Sequence, residues 1–264
     1  MKNKIIILLA FILLCLLSIV TIFTVNYKNE KEYIAEHKNE NIVTSETDEV
    51  YSVAYNHEEY KNIPVNYICP LYAHDTSTPE QAIGLADYAF IGKINRILRT
   101  EYRYPMDTVI DGEIKTVSSP YTVYEVNVVQ NINGNLVKGD NIEIVQSGGL
   151  EEDKLSYSFF EGMSLLNVGE YYILLAYTQP DGTLLFDKAE FSIPLGNLEG
   201  ELVKTISSKS TGEILSTTKT NSTSKPNSTP VDIINKYVEA SKEPIVPEDR
   251  QKSKSKLYDV EYNK

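Results

Sequence analysis
Cys69, His74 and Asp75 form the most compact group of reactive side-chain types in the chain. A thiol and an imidazole become a nucleophilic pair only where the ring takes the thiol proton at hydrogen-bond distance. The spacing does not supply that distance, so the group reads either as a thiol enzyme's dyad or as a packed cysteine beside a polar loop. Ile68 and Pro70 flank Cys69, which predicts burial of the thiol. The other histidines, His37 and His57, lie upstream, and none follows His74. A Ser-His-Asp triad borne on later strands would therefore lack a local base. The S-x-x-K spacing occurs at Ser216/Lys219, Ser222/Lys225 and Ser253/Lys256, in polar stretches whose composition explains it. A Ser–Lys nucleophile needs a buried, preorganised setting instead. Glu151-Glu152-Asp153 follows Ser147-Gly148-Gly149, but a calcium loop needs about six converging oxygens and a D-x-D-x-D-G pattern that is missing. A solvated loop is expected there. G-x-S-x-G, H-E-x-x-H, C-x-x-C and Walker motifs are absent, so no catalytic, cofactor-binding or metal-ligating residue is assigned.

Nineteen Tyr and seven Phe stand without a Trp. Many of the tyrosines fall on strand-like runs, where β propensity and cross-strand packing account for them. Tyr102, Tyr104 and Tyr157 are the candidates for an exposed, sugar-stacking surface. Asn221-Ser222-Thr223 and Asn227-Ser228-Thr229 have the form of glycosylation sequons.

The strongest positional signal is N-terminal. Ile5 to Val25 is an uncharged run of 21 residues, long enough as a helix to cover ~31 Å against a hydrocarbon core of ~30 Å. Lys2 and Lys4 precede it, which predicts a cytoplasmic N-terminus and an exported remainder. A cleaved signal peptide and a lipoprotein signal ending at Cys15 are the rival readings. The run exceeds a usual signal core, no small-x-small site follows, and Leu14 stands where a lipobox wants a small residue. An uncleaved single-span anchor is the expectation.

The whole chain of 264 residues carries 25 basic and 37 acidic side chains, a net charge of -12. A nucleic-acid binder needs the opposite balance to displace phosphate counterions. The organisation reads as a cytoplasmic end (1–4), an anchor (5–25), an acidic stalk (26–61), a β domain (62–200), a flexible Ser/Thr-rich linker (201–230) and a short helix with a basic tail (231–264). Thr78-Pro79-Glu80-Gln81 is a capping-box helix start, and the helix ends near Asp87. From Tyr88 the period becomes two. Ala89 to Leu98 reads as a strand bent at Gly92, and Asp111-Gly112 as a two-residue hairpin turn. Tyr121 to Ile132 follows, with a bulge at Val128-Val129. Asn141 to Gln146 alternates, Tyr171 to Tyr177 is a central strand, Leu184 to Phe186 returns beside it, and Phe191 to Ile193 adds an edge. Such strands fit a small barrel or sandwich closed at one end by the single helix. A second helix start falls at Thr229-Pro230-Val231-Asp232. The tail residues Arg250, Lys252, Lys254 and Lys256 read as a solvated end, or as a patch for an anionic wall polymer or lipid surface.

Ala86-Asp87-Tyr88-Ala89-Phe90-Ile91-Gly92-Lys93, then Tyr121 to Val128 with Gly134, Ile142-Glu143-Ile144 with Gly148-Gly149, and Val168 to Leu175 make an ordered set. Over residues 80–195 it resembles uncharacterised membrane-anchored exported proteins of Gram-positive bacteria with an OB- or netrin-like β-barrel. The resemblance implies a mainly β fold, a small OB-like antiparallel barrel with one short capping helix, and a cell-surface location. The clamping cysteines of the animal metalloproteinase inhibitors that share this architecture are missing, so their inhibitory wedge is not implied. The expected function is a non-enzymatic extracytoplasmic binding or protein-interaction module, without a cofactor and without nucleic acid. Its partner would be an extracytoplasmic protein or cell-wall ligand. The alternatives are an exported hydrolase or thiol enzyme using Cys69/His74, and a protease-inhibitor-like module.

Overall fold
The computed structural model describes residues 51–54, 56–211, 213 and 229–259. The expected anchor over residues 5–25 and most of the acidic stalk lie outside them. Among the described residues no helix is long and apolar enough to cross a membrane. The fold is mainly β, organised around a sheet that closes into a ring.

The ring grows from one long hairpin. Strand β3 (Tyr88–Ile110) runs 23 residues and β4 (Glu113–Asn133) runs 21. Asp111 and Gly112 join them with φ of 55° and 82°, the left-handed pair that a two-residue turn requires. Next to β4 lies β5 (Asn141–Ser147), antiparallel. Beside β5 lies β9 (Leu184–Phe186), parallel, and β9 pairs antiparallel with β8 (Tyr171–Thr178). β8 then pairs antiparallel with the first half of β3, Tyr88 to Lys93, which closes the ring. β1 (Tyr51–Val53) pairs with β3 beyond that contact, and β10 (Ser192–Gly196) pairs with β8 after a 3-10 turn at Ala189–Phe191. A second sheet of three short strands places β2 (Val65–Ile68) parallel to β7 (Tyr157–Phe160), and β7 antiparallel to β6 (Gly149–Leu150).

Sequence explains the closure. On β4, Tyr124, Val126 and Val128 are buried while Glu125 and Asn127 are partly exposed, the alternation of a strand with one face inward. Ile91 faces Gln130 and Gly92 faces Val128, so Val129 is an extra residue on β4, at the bulge expected there. A bulge bends its strand, as closure demands. At Gly92 an added Cβ would lie 2.5 Å from Val126 Cγ1, so the bend needs glycine. Phe90, Ile94, Ile144 and Phe186 are fully buried with them in the core.

Among the described residues three helices cover the ring. α1 (Pro79–Leu85) starts with both bonds of the expected capping box: Gln81 N donates to Thr78 Oγ1 at 3.3 Å, and Thr78 N to Gln81 Oε1 at 3.2 Å. α3 (Pro230–Ala240) starts the same way at Thr229 and Asp232. α2 (Gly200–Ser208) stands where the sequence reading has flexible linker; Leu202, Val203 and Ile206 form its one apolar face, but no side-chain cap marks its start. It occupies the opening of the expected linker; residues 214–228 of that linker lie outside the described residues.

Two further boundaries differ from the sequence expectation. Residues 51–60 of the expected stalk fold onto the domain: β1 pairs with β3, and His57 is buried in a 3-10 turn at His57–Tyr60. The expected solvated tail is an ordered strap. Ile245 N donates to Glu80 O at 3.0 Å, Lys252 Nζ to Ile83 O at 3.0 Å and Arg250 Nε to Leu85 O at 2.6 Å. Two cationic side chains thus sit on the unsatisfied carbonyls of α1, where the helix dipole favours them.

Candidate functional site
The second half of β3 and the first half of β4 leave the ring and form a free two-stranded arm. From Tyr104 to Ser119 every residue is exposed except Thr108 and Ser118, which are half-buried. Eight residue steps from Tyr102 to Ile110 correspond to about 26 Å of strand. A bare two-stranded ribbon is marginal in water, so its root must hold it. Buried Glu101 takes guanidinium groups from both sides, Arg99 at 2.7 Å and Arg103 at 2.6 Å, and Arg99 also reaches Glu143 at 2.7 Å. Arg103 lies 4.9 Å over the Tyr121 ring, and Tyr104 meets that ring edge-on at 6.1 Å. Along the arm, Thr116 Oγ1 donates to Asp107 Oδ1 at 2.7 Å.

Both faces of this arm are open to solvent, and each carries apolar side chains among polar ones. Val109 opposes Ile114, with 69% and 76% of each exposed, and Met106 opposes Val117 on the other face. Exposed apolar pairs on a ribbon with two unpaired edges mark an interaction surface or an aggregation hazard. The charges between them are Asp107, Asp111, Glu113 and Lys115, an acidic excess.

At the foot of the arm lies a cleft of about 280 Å³, walled by Ile68, Val117, Pro120, Phe159 and Phe160. Glu151 lines it. Burial pushes the Glu151 carboxyl up, the neighbouring Asp153 and Glu152 add to this, and only a hydrogen bond from Ser158 opposes it. On one side of the cleft β2 presents all four residues to solvent, with Val65, Tyr67 and Ile68 among them. The cleft therefore joins the arm to an apolar edge strand and carries one desolvated carboxylate.

The residues singled out by sequence fare differently. Cys69 is exposed, against the expected burial, because it directly follows an edge strand covered on neither face. His74 Nε2 lies 3.5 Å from Asp249 on the strap, and Asp75 holds Ser77 N at 2.9 Å and Gln81 Nε2 at 3.1 Å in the loop before α1. These contacts give both residues structural partners. Tyr102 is buried rather than exposed: its hydroxyl donates to Leu150 O at 3.1 Å, which lets the ring enter the interior. Tyr157 is likewise buried, stacked on Phe159 at 5.8 Å. Of the three tyrosines only Tyr104 is exposed, and it sits at the arm's root. Asp153 Oδ1 accepts from Leu155 N at 2.9 Å, closing its own loop. Among the described residues no three His, Cys, Asp or Glu side chains gather as a metal ion requires. Ser253 of the last S-x-x-K gives both its N and its Oγ to Asp87; the pairs at 216/219 and 222/225 lie outside the described residues.

In the sequence, Val109-Ile110 and Ile114 on either side of Asp111-Gly112 signal strand positions and carry no sign of their exposure. No protein-family model matches the chain, and no curated protein is significantly similar to it.

Proposed function
We propose that this chain is a membrane-anchored, extracytoplasmic, non-enzymatic binding module, and that the β3–β4 arm with the cleft at its foot is its docking face. The single observation that carries the reading is the run of solvent-exposed apolar side chains on both faces of an arm whose root is braced by ion pairs. A surface that only needs to be soluble has no use for them. The acidic excess on the arm and the desolvated Glu151 favour a partner protein whose contact surface is apolar and basic.

The ring is read as an OB-type barrel, in keeping with the resemblance noted over residues 80–195. Five strands, closure through β8 and β3, and the return of β9 beside β5 rather than in chain order support that reading. In such barrels the loop joining the first two strands contributes to the ligand face, and here that loop is the arm. The anchor at residues 5–25 puts the domain outside the cell and the N-terminus inside.

Cys69 makes the location testable. It is exposed, and the other cysteine, Cys15, lies within the anchor run. A membrane-impermeant maleimide should label intact cells carrying the full-length protein, and Cys69→Ser should abolish the labelling. Labelling only after lysis would contradict the proposed topology. The docking face is tested by the double change Val109→Asp and Ile114→Asp: the fold should persist while co-purification of the partner from solubilised membranes is lost.

A further inference from the structure
Strand β2 (Val65–Ile68) pairs on one side only, with β7. Tyr157 N donates to Pro64 O at 2.9 Å, and Glu161 N to Ile68 O at 2.9 Å. Carbonyls two residues apart on a strand point the same way, so those of Pro64, Asn66 and Ile68 face β7. The N–H and C=O groups of Val65 and Tyr67 therefore point away from it, along the outer edge, and no backbone partner meets them among the described residues. Pro64 and Pro70 bracket the edge, which limits any added pairing to about five residues. We infer that this edge receives an extended segment of the partner protein as an added β-strand, with apolar side chains at alternate positions and a lysine or arginine among them. The inference rests on the docking face proposed above and names how the partner is held there.

Each face of β2 opens on a recess. Asn66 and Ile68 lie beside Ser158 and Phe160, and Ile68 and Phe160 wall the cleft of about 280 Å³ at the foot of the arm. On the other face Val65 and Tyr67 lie beside Tyr157 and Phe159, and they line a recess of about 530 Å³ with Leu165 and Val168. Side chains of a strand alternate between faces. A strand added at this edge sends one set of side chains toward the cleft and the other toward the recess. Main-chain bonds then supply affinity and the two recesses supply selectivity. Val65, Tyr67 and Ile68 are exposed, and within β2 there is no charge or proline of the kind that shields an edge from pairing.

Charge selects the occupant. From Gly149 to Glu161 the chain carries Glu151, Glu152, Asp153 and Glu161 against Lys154 alone, and Glu151 lines the cleft. The arm beside it adds Asp107, Asp111 and Glu113 against Lys115. A second copy of the chain would bring the same acidic groups to the edge. The chain's own residues 26–50 hold three lysines against seven acidic side chains, so they are repelled as well. A basic side chain on the added strand is attracted to Glu151, where the apolar walls of the cleft weaken screening by water.

The test uses the full-length chain in a neutral detergent and a displayed library of random dodecapeptides. Enriched peptides are expected to alternate apolar residues and to carry at least one Lys or Arg. One selected peptide is synthesised, titrated by fluorescence anisotropy, and N-methylated singly at each amide. Methylation at every second residue of its central stretch should weaken binding about ten-fold or more, while methylation at the intervening residues leaves it near the parent, as one bonded edge requires. Tyr67→Pro removes an outward N–H that β7 does not use, so it should weaken the peptide about five-fold or more at an unchanged melting temperature. Glu151→Gln should weaken it about three-fold or more. If Tyr67→Pro does not fold, the methylated peptides decide. The proposal is overturned if no peptide is enriched, if the enriched peptides are acidic, or if methylation acts alike at all positions. It is equally overturned if a peptide of residues 26–50 displaces the selected one, or if the chain forms a dimer that Tyr67→Pro dissolves. Undiminished photo-crosslinking of the partner from positions 109 and 114 in Tyr67→Pro would overturn strand addition while leaving the docking face in place.

Discussion

The carboxylate of Asp87 is sealed from solvent and takes four donors: Thr178 N at 2.7 Å, Arg250 Nη2 at 2.6 Å, Ser253 N at 2.8 Å and Ser253 Oγ at 3.3 Å. It ties α1's end, β8 and the strap together. Removing one charged partner of a buried pair leaves the other uncompensated, so Arg250→Ala is expected to cost about 3 kcal/mol, read as a lower urea midpoint. His57 gives a pH dependence. Burial pushes its imidazole down to about 4 from the usual 6.5. The folded chain therefore refuses a proton that the unfolded chain accepts near pH 6.5. Stability is complete above that pH and declines as pH falls toward 4. In His57→Leu the slope of unfolding free energy between pH 6.5 and 4 should be flatter than in wild type. At this scale the sequence was a partial guide. Thr78 and Gln81 announced their reciprocal bonds, since a cap depends on neighbours three residues away. Asp87, Thr178 and Arg250 meet from distant parts of the chain, and no local pattern announces such a meeting.

Among the elements, the arm and the strap depart furthest from expectation. The Asp-Gly turn and the Val129 bulge were legible because each is a local backbone requirement. The arm's reach was not, because alternating apolar residues predict burial and here nothing among the described residues buries them. Val109→Ser and Ile114→Ser together should therefore change stability by less than about 0.5 kcal/mol in denaturant titrations, whereas the same change at a core strand position would cost several-fold more. The strap's lysines predict a solvated tail, yet Arg250 and Lys252 spend donors on α1 carbonyls. Its seat is tight: a Cβ on Gly84 would lie 1.8 Å from Ile245 O. Gly84→Ala should displace the strap and destabilise the fold by about 1–3 kcal/mol, seen as a lower melting temperature and faster proteolysis after residue 241.

On the scale of the molecule, an acidic chain holds a closed β ring from which an apolar arm projects. Net charge of -12 keeps such a surface soluble and repels other copies, while favouring a basic partner. The mainly β class was readable from the strands' period; the ring's closure was foreshadowed by Gly92 and the bulge beside it. The exposure of the arm's apolar residues is not readable from the sequence, because a strand residue's exposure depends on what the rest of the chain leaves uncovered. The most direct test places a photo-crosslinking amino acid at position 109 or 114 of the full-length protein on intact cells, with position 245 as the control. Ile245 is 57% exposed and lies on the strap against α1, lining neither the arm nor the cleft at its foot. One discrete adduct of the same mass from 109 and 114, absent from 245, is the expected result; no adduct from the arm, or the same adducts from all three positions, would contradict the account.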